Sequence, residues 1–300
     1  WPKYSSSVWP RAARPPSSTH GRHQVMNSGL RGDCLLKNSG TLTLVQVTDA
    51  HLMAEEGGRL LNVDTDDSLA AVLELVIAQT ATPDALLITG DIAGDGASDA
   101  YQRLALALNA IPAPSFWLPG NHDDCDTSVA GRERFIRTIT NPHWLIVMLD
   151  SQQPDAVGGY LSASELDALS QAVDRANQEG KHLLVALHHP LHPIGCDWLD
   201  PQRVANSAAF ELEVQRCRQQ VVVIAGHVHQ ESDQDHAGIR YLTTPSTCIQ
   251  FAPNQVNFKV DDQAPGYRWL QLSPSGEVET GVERVTDRDF PVDLDSGGYL

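Results

Sequence analysis

Five polar motifs follow apolar segments along the chain, at the point where each segment ends. The motifs are Thr48-Asp49-Ala50-His51, Gly90-Asp91, Gly120-Asn121-His122-Asp123, His188-His189 and Gly226-His227-Val228-His229. Ligands of open α/β sheets bind at the carboxyl ends of the strands, so side chains in such positions can converge. The sequence therefore predicts one site at one edge of the fold, built from Asp, Asn and His.

Each motif alone has an ordinary structural interpretation. Gly90-Asp91 and Gly120-Asn121 are common turn sequences, and a single buried histidine is more often a hydrogen-bonded core residue than a ligand. His227 and His229 form a stronger pair, because alternate residues of a strand point to the same side. The five motifs together favour a functional site over five independent turns.

The donor types indicate a site for two metal ions. Two cations about 3.5–4 Å apart need a bridging anion and separate terminal ligands, and Asp91 can bridge. Three further residues are then available to each metal: Asp49, His51 and His229 to one, and Asn121, His188 and His227 to the other. Nitrogen and oxygen donors without thiolate favour Fe, Mn, Co or Zn.

The amino-acid composition limits the kinds of molecule that the protein can bind. The 300 residues carry 21 Lys and Arg against 38 Asp and Glu, a net charge of −17, which disfavours binding to nucleic-acid polymers. No apolar run approaches the roughly 20 residues of a membrane span. Two divalent cations with Asp49, Asp91 and a hydroxide would still leave the site slightly positive, so it could attract a phosphodiester monoanion. We expect a monomer or homodimer without nucleic-acid or membrane partners.

Charge and cysteine placement predict the organisation of the chain. Residues 1–39 hold six basic side chains and one acid, and we expect a disordered basic extension there, with Met26 as the natural first residue. We expect the catalytic domain over residues 40–284 and an acidic tail over 285–300. The five scattered cysteines include no CxxC pair, which favours a reducing cytoplasm over a disulfide framework.

Alternating patterns predict a layered α/β domain. Short apolar runs predict strands at 42–47, 85–89, 115–118, 144–149, 183–187 and 221–225. Helices are predicted after Thr65 as N-cap, after Ser98, and after Ser162, which stands in capping-box spacing with Glu165. Strand-like segments at 239–242, 267–272 and 277–279 predict a second sheet.

The ordered motifs DxH, GD, GNHD, HH and GHxH resemble the calcineurin-like metallophosphoesterase superfamily. The stretches LITGDIAGDGASDAYQRL, WLPGNHDD, HHPLHPIGCDWLD, AGHVHQE and TTPSTCIQF are similar to bacterial class III 3′,5′-cyclic AMP phosphodiesterases. The resemblance covers roughly Thr41 to the end of the chain. It implies a four-layer α/β/β/α sandwich of the metallo-dependent phosphatase type, with the seven-residue dinuclear metal site at the rim between two mixed sheets.

The resemblance also implies a reaction. A metal-bridging hydroxide would attack phosphorus in line with the ribose 3′ oxygen, so that cyclic AMP gives 5′-AMP. His122 is the candidate general acid, because imidazole titrates near physiological pH, and Asp123 would orient His122 or its loop. Five residues are expected to contact the substrate: His51, Asp91, Asn121, His122 and His229.

Several alternatives remain open at this stage. A broader phosphodiesterase or a phosphomonoesterase would use the same metal motifs, whereas a nuclease is disfavoured by the acidic body. A non-catalytic interaction module is expected to lack ligands, and all seven positions hold competent residues. His189 competes with His188 as ligand. Cys196, Trp198 and the segment 244–248 could either line the nucleotide pocket or pack within the fold.

Overall fold

The strands and helices follow the predicted pattern closely. The computed structural model describes residues 30–80, 82–124 and 131–298. Within these ranges the helices are α1 Thr65–Gln79, α2 Ser98–Leu108, α3 Ala163–Glu179 and α4 Ser207–Val214. The strands β1 to β16 are Arg31–Leu35, Leu42–Val47, Arg59–Leu60, Val63–Asp64, Ala85–Thr89, Ser115–Leu118, Ile136–Thr140, Trp144–Met148, His182–Ala186, Val221–Ala225, Ser232–His236, Ile239–Thr243, Gln250–Phe251, Val260–Asp261, Gly266–Leu272 and Val278–Arg284.

Two mixed sheets form the centre of the molecule. One has the strand order β1-β7-β8-β9-β10-β12-β11 and the other β16-β15-β2-β5-β6. The prediction that the strands after Gly226 form a sheet of their own is wrong. β12 pairs in parallel with β10, while β15 pairs antiparallel with β2, so the late strands extend both sheets instead.

Alternation along the buried strands produces the layers. In β8 and β9, Ile146 and Leu184 face the core shared with the other sheet, while Leu145 and Leu183 face the core beneath α3 and α4. The apolar face of α1 and α2 covers the five-stranded sheet from the other side. Strands buried on both faces explain the nearly continuous apolar runs in the sequence, and the predicted four-layer α/β/β/α class is confirmed.

Helix starts differ from prediction by one residue in α1. The side chain of Asp64, not Thr65, caps this helix by accepting a hydrogen bond from the Asp67 amide at 3.0 Å. Thr65 is the first helical residue, and its hydroxyl donates to the Gly58 carbonyl at 3.3 Å. The cap of α3 is Ser162 as predicted.

Both ends of the described chain are attached to the domain. Residues 31–35 pair in parallel with β7 at the edge of the seven-stranded sheet, so the predicted disordered extension to residue 39 is wrong for this segment. Residues 1–29, including Met26, lie outside the described residues. In the predicted acidic tail, Val285 is buried and the amide of Asp293 donates to the Leu61 carbonyl at 2.9 Å.

Four cysteines fall within the described ranges as free thiols, namely Cys34, Cys196, Cys217 and Cys248. Burial raises the pKa of the Cys248 thiol to about 12. Cys196 and Cys248 both belong to a small apolar core with Leu199, which favours packing over a pocket-wall role for these two residues. Among the helices of residues 30–80, 82–124 and 131–298, none has the length and apolar character that a membrane crossing requires.

Candidate metal centre

Strand ends from both sheets deliver the predicted residues to one buried cluster. β2, β5 and β6 lead to the motifs at 48–51, 90–91 and 120–123, and β9 and β10 of the other sheet lead to those at 188–189 and 226–229. The seven candidate ligands are all buried: Asp49, His51, Asp91, Asn121, His188, His227 and His229. The edge predicted from the motif positions is therefore where the polar side chains meet.

The first group of ligands is the Asp49 half, defined as Asp49, His51 and His229. His229 Nε2 lies 3.2 Å from His51 Nε2 and 3.4 Å from Asp49 Oδ1. One ligand atom from each of the three residues lies within 4.8 Å of the others, a spacing that could hold a metal ion.

The second group is the Asn121 half, defined as Asn121, His188 and His227. His188 Nε2 lies 3.2 Å from Asn121 Oδ1. The rings of His188 and His227 meet edge to face, with their centroids 5.1 Å apart. The backbone amide of His227 donates to both carboxylate oxygens of Asp49, at 3.1 and 3.0 Å, which ties the two halves together.

Asp91 stands between the halves. Its Oδ2 lies 3.3 Å from His188 Nε2 and 3.7 Å from His51 Nε2, while Oδ1 accepts a hydrogen bond from the His122 amide at 2.9 Å. One carboxylate oxygen is thus occupied by the main chain, and the other faces a histidine of each half. This geometry suits the bridging role predicted for Asp91.

Backbone carbonyls select the nitrogen that two histidines present to the cluster. His188 Nδ1 lies 2.8 Å from the Thr89 carbonyl, and His229 Nδ1 lies 2.8 Å from the Ile249 carbonyl. A carbonyl only accepts, so each Nδ1 carries the proton and each Nε2 offers its lone pair. Such outer partners orient histidines for metal binding.

Around His188 Nε2, several hydrogen-bond acceptors lie close together without a donor between them. Asp91 Oδ2 and Asn121 Oδ1 both lie within 3.3 Å of His188 Nε2, and a neutral His188 with its proton on Nδ1 donates to neither. A cation is therefore needed at this point, either a second proton on His188 or a metal ion. The donor set of imidazole nitrogen, carboxylate and amide oxygen fits a transition-metal ion.

The electrostatics of the protein alone show the same demand for positive charge. Burial lowers the pKa of His188, but Asp91, Asp49 and the Thr89 carbonyl together outweigh burial and raise the pKa to about 9. Burial acts to raise the pKa of Asp91, but His188 and His122 hold it well below its usual range. Burial lowers the pKa of His51 to about 3, so this ring stays neutral and keeps a lone pair for a metal.

Backbone conformations at the site are unusual. Five of the candidate ligands have positive φ angles although none is glycine: Asp49, His51, Asp91, His227 and His229. Such conformations cost on the order of 1–3 kcal/mol each and persist where surrounding structure enforces them. Gly120 permits close approach, since a Cβ at this position would collide with Asp91 Oδ1.

His122 is held at the open side of the cluster. Its ring is half-buried, meets the His51 ring edge to face at 4.9 Å between centroids, and places Nδ1 3.1 Å from the Gly94 carbonyl. Because that carbonyl accepts, Nδ1 carries the proton.

Asp123 anchors the loops around the site. Its carboxylate accepts hydrogen bonds from the amides of Ile92, Ala93 and Gly120, at 3.2, 3.0 and 2.8 Å, and from the Tyr101 hydroxyl at 2.8 Å. Burial and the nearby Asp91 raise the pKa of Asp123 to about 6, although these hydrogen bonds act to lower it. Of the two predicted roles, orienting His122 itself or orienting its loop, the contacts favour the loop.

The choice between His188 and His189 is decided by their partners. His189 Nδ1 lies 2.8 Å from the Ser151 hydroxyl and Nε2 lies 2.9 Å from the Val157 carbonyl, so both ring nitrogens are engaged away from Asp91. A nitrogen of His189 still lies within 4.8 Å of ligand atoms of His188 and His227. The two hydrogen bonds of His189 and the contacts of His188 Nε2 with Asp91 and Asn121 favour His188 as ligand.

Sequence reasoning missed three supporting residues. Gln202 Oε1 lies 2.9 Å from His227 Nε2, the Phe251 ring stacks on His229 with centroids 4.2 Å apart, and the Ser246 hydroxyl donates to the Asp49 carbonyl at 2.7 Å. Ser246 lies in the segment 244–248, which therefore supports a ligand loop. Phe251 ends the stretch TTPSTCIQF, but nothing in that stretch marks it as a partner of His229, and Gln202 belongs to no quoted stretch.

Two mixed sheets with a potential metal cluster between their strand ends define the class of metal-dependent phosphatases. Two solved structures share this fold: a dimetal phosphatase from Danio rerio, with a TM-score of 0.56 at 19% identity over 83% of this chain and 100% of that one, and a purple acid phosphatase from yellow lupin, with a TM-score of 0.55 at 11% identity over 89% and 54%. At these identities the likeness concerns the fold alone.

Sequence comparison identifies the family. The sequence profile of the calcineurin-like phosphoesterases matches residues 42–231, and the chain belongs to this family. A relative named 3′,5′-cyclic adenosine monophosphate phosphodiesterase CpdA, from Pseudomonas aeruginosa, is 41% identical over 86% of this chain and 96% of that protein. The protein of the same name from Escherichia coli K12 is 37% identical over 88% and 97%. The resemblance noted in the motifs is thereby confirmed.

Proposed function

We propose that the protein hydrolyses 3′,5′-cyclic AMP to 5′-AMP with two divalent metal ions. The observation that carries the proposal is the convergence of seven buried candidate ligands, six of them around Asp91, with the His122 ring in edge-to-face contact with His51. The names of the Pseudomonas and Escherichia relatives support cyclic AMP as the substrate.

The residues divide between two ions as their spacing suggests. The Asp49 half would hold one ion and the Asn121 half the other, with Asp91 shared. When bound, the ions would lower the pKa of water to near neutrality and polarise the phosphoryl oxygens of the substrate. The mixed nitrogen and oxygen donors support Fe, Mn, Co or Zn.

His122 contributes the proton step. Its Nδ1–H is committed to the Gly94 carbonyl at 3.1 Å, so the ring can donate from Nε2 only as the imidazolium. Cleavage of the ester breaks the bond between phosphorus and the ribose 3′ oxygen, and that oxygen needs a proton to leave. We assign this donation to His122 Nε2, and substrate contact to His51, Asp91, Asn121, His122 and His229.

Product analysis tests the assignment. Purified protein with measured metal content is incubated with 3′,5′-cyclic AMP, with bis(p-nitrophenyl) phosphate and with p-nitrophenyl phosphate, and products are identified by chromatography. Formation of 5′-AMP as the favoured reaction is expected. Turnover of the generic diester without the cyclic nucleotide would indicate a broader phosphodiesterase, and preference for the monoester a phosphomonoesterase. No turnover of any of the three would favour a non-catalytic module.

We also propose a cytoplasmic location and a monomeric or homodimeric state. The free thiols of Cys34, Cys196, Cys217 and Cys248 support a reducing compartment. Fractionation with sizing of the native protein tests both statements.

A further inference from the structure

The ring of His227 is oriented by a side chain. Its Nε2 lies 2.9 Å from Gln202 Oε1, while the amide nitrogen of Gln202 donates to the Trp198 carbonyl at 3.1 Å. Because the Trp198 carbonyl takes the amide NH2 group, the amide oxygen faces His227 and can only accept. His227 must therefore carry its proton on Nε2, and its Nδ1 holds the lone pair.

This tautomer is opposite to that of the two neighbouring histidines. His188 and His229 donate from Nδ1 to main-chain carbonyls and offer Nε2 to the cluster. His227 joins the cluster from the side of Asp49, to which its own backbone amide donates. Because Nε2 is engaged by Gln202, Nδ1 is the ring nitrogen available as a ligand, and a ring nitrogen of His227 lies within 4.8 Å of a ligand atom of His188.

Gln202 is fixed well enough to do this. Gln202 is the last residue of a short 3₁₀ turn, Asp200–Gln202. Its backbone N–H donates to the Leu199 carbonyl at 2.8 Å. Its own carbonyl accepts from the Gly159 amide at 3.0 Å. Both main-chain groups and both side-chain atoms of Gln202 thus have partners, so little rotamer freedom remains.

We propose that Gln202 is a positioning residue that holds His227 in the Nε2–H tautomer and so presents Nδ1 as a ligand for the metal ion of the Asn121 half. The inference rests on the proposed dinuclear function. Outer partners of metal-bound histidines typically contribute about 10- to 100-fold in metal affinity. The same contribution is expected from Gln202 at one of the two metal positions.

Two substitutions test the role. Gln202→Leu keeps the approximate volume but removes the acceptor, and Gln202→Glu restores an acceptor with a carboxylate. Gln153→Leu is the matched control, since Gln153 is half-buried and its amide donates to the Gly158 carbonyl rather than to a ligand. Metal-free protein labelled with ¹⁵N-histidine reports the tautomer through two-bond ring correlations, and the His227 signals are assigned by their loss in His227→Asn.

The expected result has two parts. Wild type, Gln202→Glu and Gln153→Leu show the Nε2–H pattern for His227, whereas Gln202→Leu shifts toward Nδ1–H. In Mn²⁺ equilibrium dialysis, Gln202→Leu binds one ion as wild type does and the other about 10- to 100-fold more weakly. Gln202→Glu restores the affinity, which a merely structural role would not predict.

Contrary outcomes separate the two proposals. An Nε2–H pattern and unchanged Mn²⁺ affinities in Gln202→Leu would overturn the role of Gln202 and leave the dinuclear site intact. A wild-type protein that binds fewer than two ions would overturn the dinuclear site, while the ¹⁵N pattern would still decide the tautomer. If Gln202→Leu does not fold, an Nδ1–H pattern in Gln202→Glu overturns the role.

Discussion

The two halves of the candidate metal cluster differ in how one of their histidines is held. In the Asp49 half, Asp49 and His51 are 0% exposed, and His229 is held by the Ile249 carbonyl and by the Phe251 ring. In the Asn121 half, Asn121 and His227 are 6% and 5% exposed, and His227 is held by the side chain of Gln202. His188 of the Asn121 half is held by the Thr89 carbonyl, so both halves use main chain, and the Asn121 half depends in addition on a polar side chain.

This difference indicates how easily a substitution can change the metal affinity of each half. A carbonyl partner survives any substitution at its own residue, whereas an amide side chain is lost with a single change. We therefore expect the Asp49 half to bind its ion more tightly and the Asn121 half to be the more easily tuned. The following substitutions test that comparison, beginning with the residue that both halves share.

Replacing the shared carboxylate removes the distinction between the halves. Asp91→Ala takes away the oxygen that faces both His51 and His188, so both ions should bind poorly and kcat/KM should fall by roughly 10³-fold or more. Metal content by mass spectrometry and initial rates on cyclic AMP measure this. Two tightly held ions in Asp91→Ala would show that the halves are independent of it.

Removing His122, the proposed general acid, should affect metal binding in neither half. His122→Ala leaves all seven ligands in place, so two ions should remain bound while kcat falls by about 10²-fold or more. Exposed His236 offers a matched control, since His236→Ala should match wild type in both measurements. Full activity in His122→Ala would remove His122 from the reaction.

Removing the Phe251 ring from His229 should weaken metal binding in the Asp49 half alone. Phe251→Leu loses the stack on His229 and about 1 kcal/mol of aromatic contact. The tighter Mn²⁺ position is expected to weaken by up to about 10-fold while the other is unchanged, since a kcal/mol is about a factor of five in affinity. Equal weakening at both positions would contradict the division into halves.

Asp150, two residues after the end of β8, contrasts with Asp91 in the direction of its pKa shift. Burial raises the pKa of Asp150 to about 7, whereas the histidines hold the pKa of Asp91 far below its usual range. The folded state therefore keeps a proton on Asp150 that the unfolded chain loses above about pH 4, and stability should fall as pH rises from about 4 to about 7.

Asp150→Asn removes this dependence. At pH 8 the variant should be more stable than wild type, by on the order of 1–2 kcal/mol, and the advantage should shrink toward pH 4. Urea unfolding across this pH range measures it. A constant difference at all pH values would mean that Asp150 is ionised in the fold.

Much of the fold could be predicted because apolar runs and strand burial coincide. Val221–Ala225 is buried at every position, and its run of apolar residues marks the strand without ambiguity. The placement of the late strands failed, because the pattern of Ile239–Thr243 does not say which earlier strand it pairs with. The edge strand Arg31–Leu35 failed for a related reason: it is mostly exposed and has no apolar alternation.

The residues of the candidate site also differ in whether the sequence could predict them. Asp91 and His188 could be found because each follows a strand in a recognisable motif. Gln202 could not, because its contact with His227 depends on a loop path rather than on spacing. Asp123 shows the intermediate case, since its motif marked it while only its four hydrogen bonds reveal that it anchors loops.

The left-handed backbone at five candidate ligands has a consequence for the life of the protein in a cell. Each such residue disfavours the folded chain by on the order of 1–3 kcal/mol, and a bound ion stabilises it by about 2.7 kcal/mol when present at a hundred times its dissociation constant. A copy that has not acquired metal is therefore expected to open more often, and proteases that remove opened chains would leave the loaded copies behind.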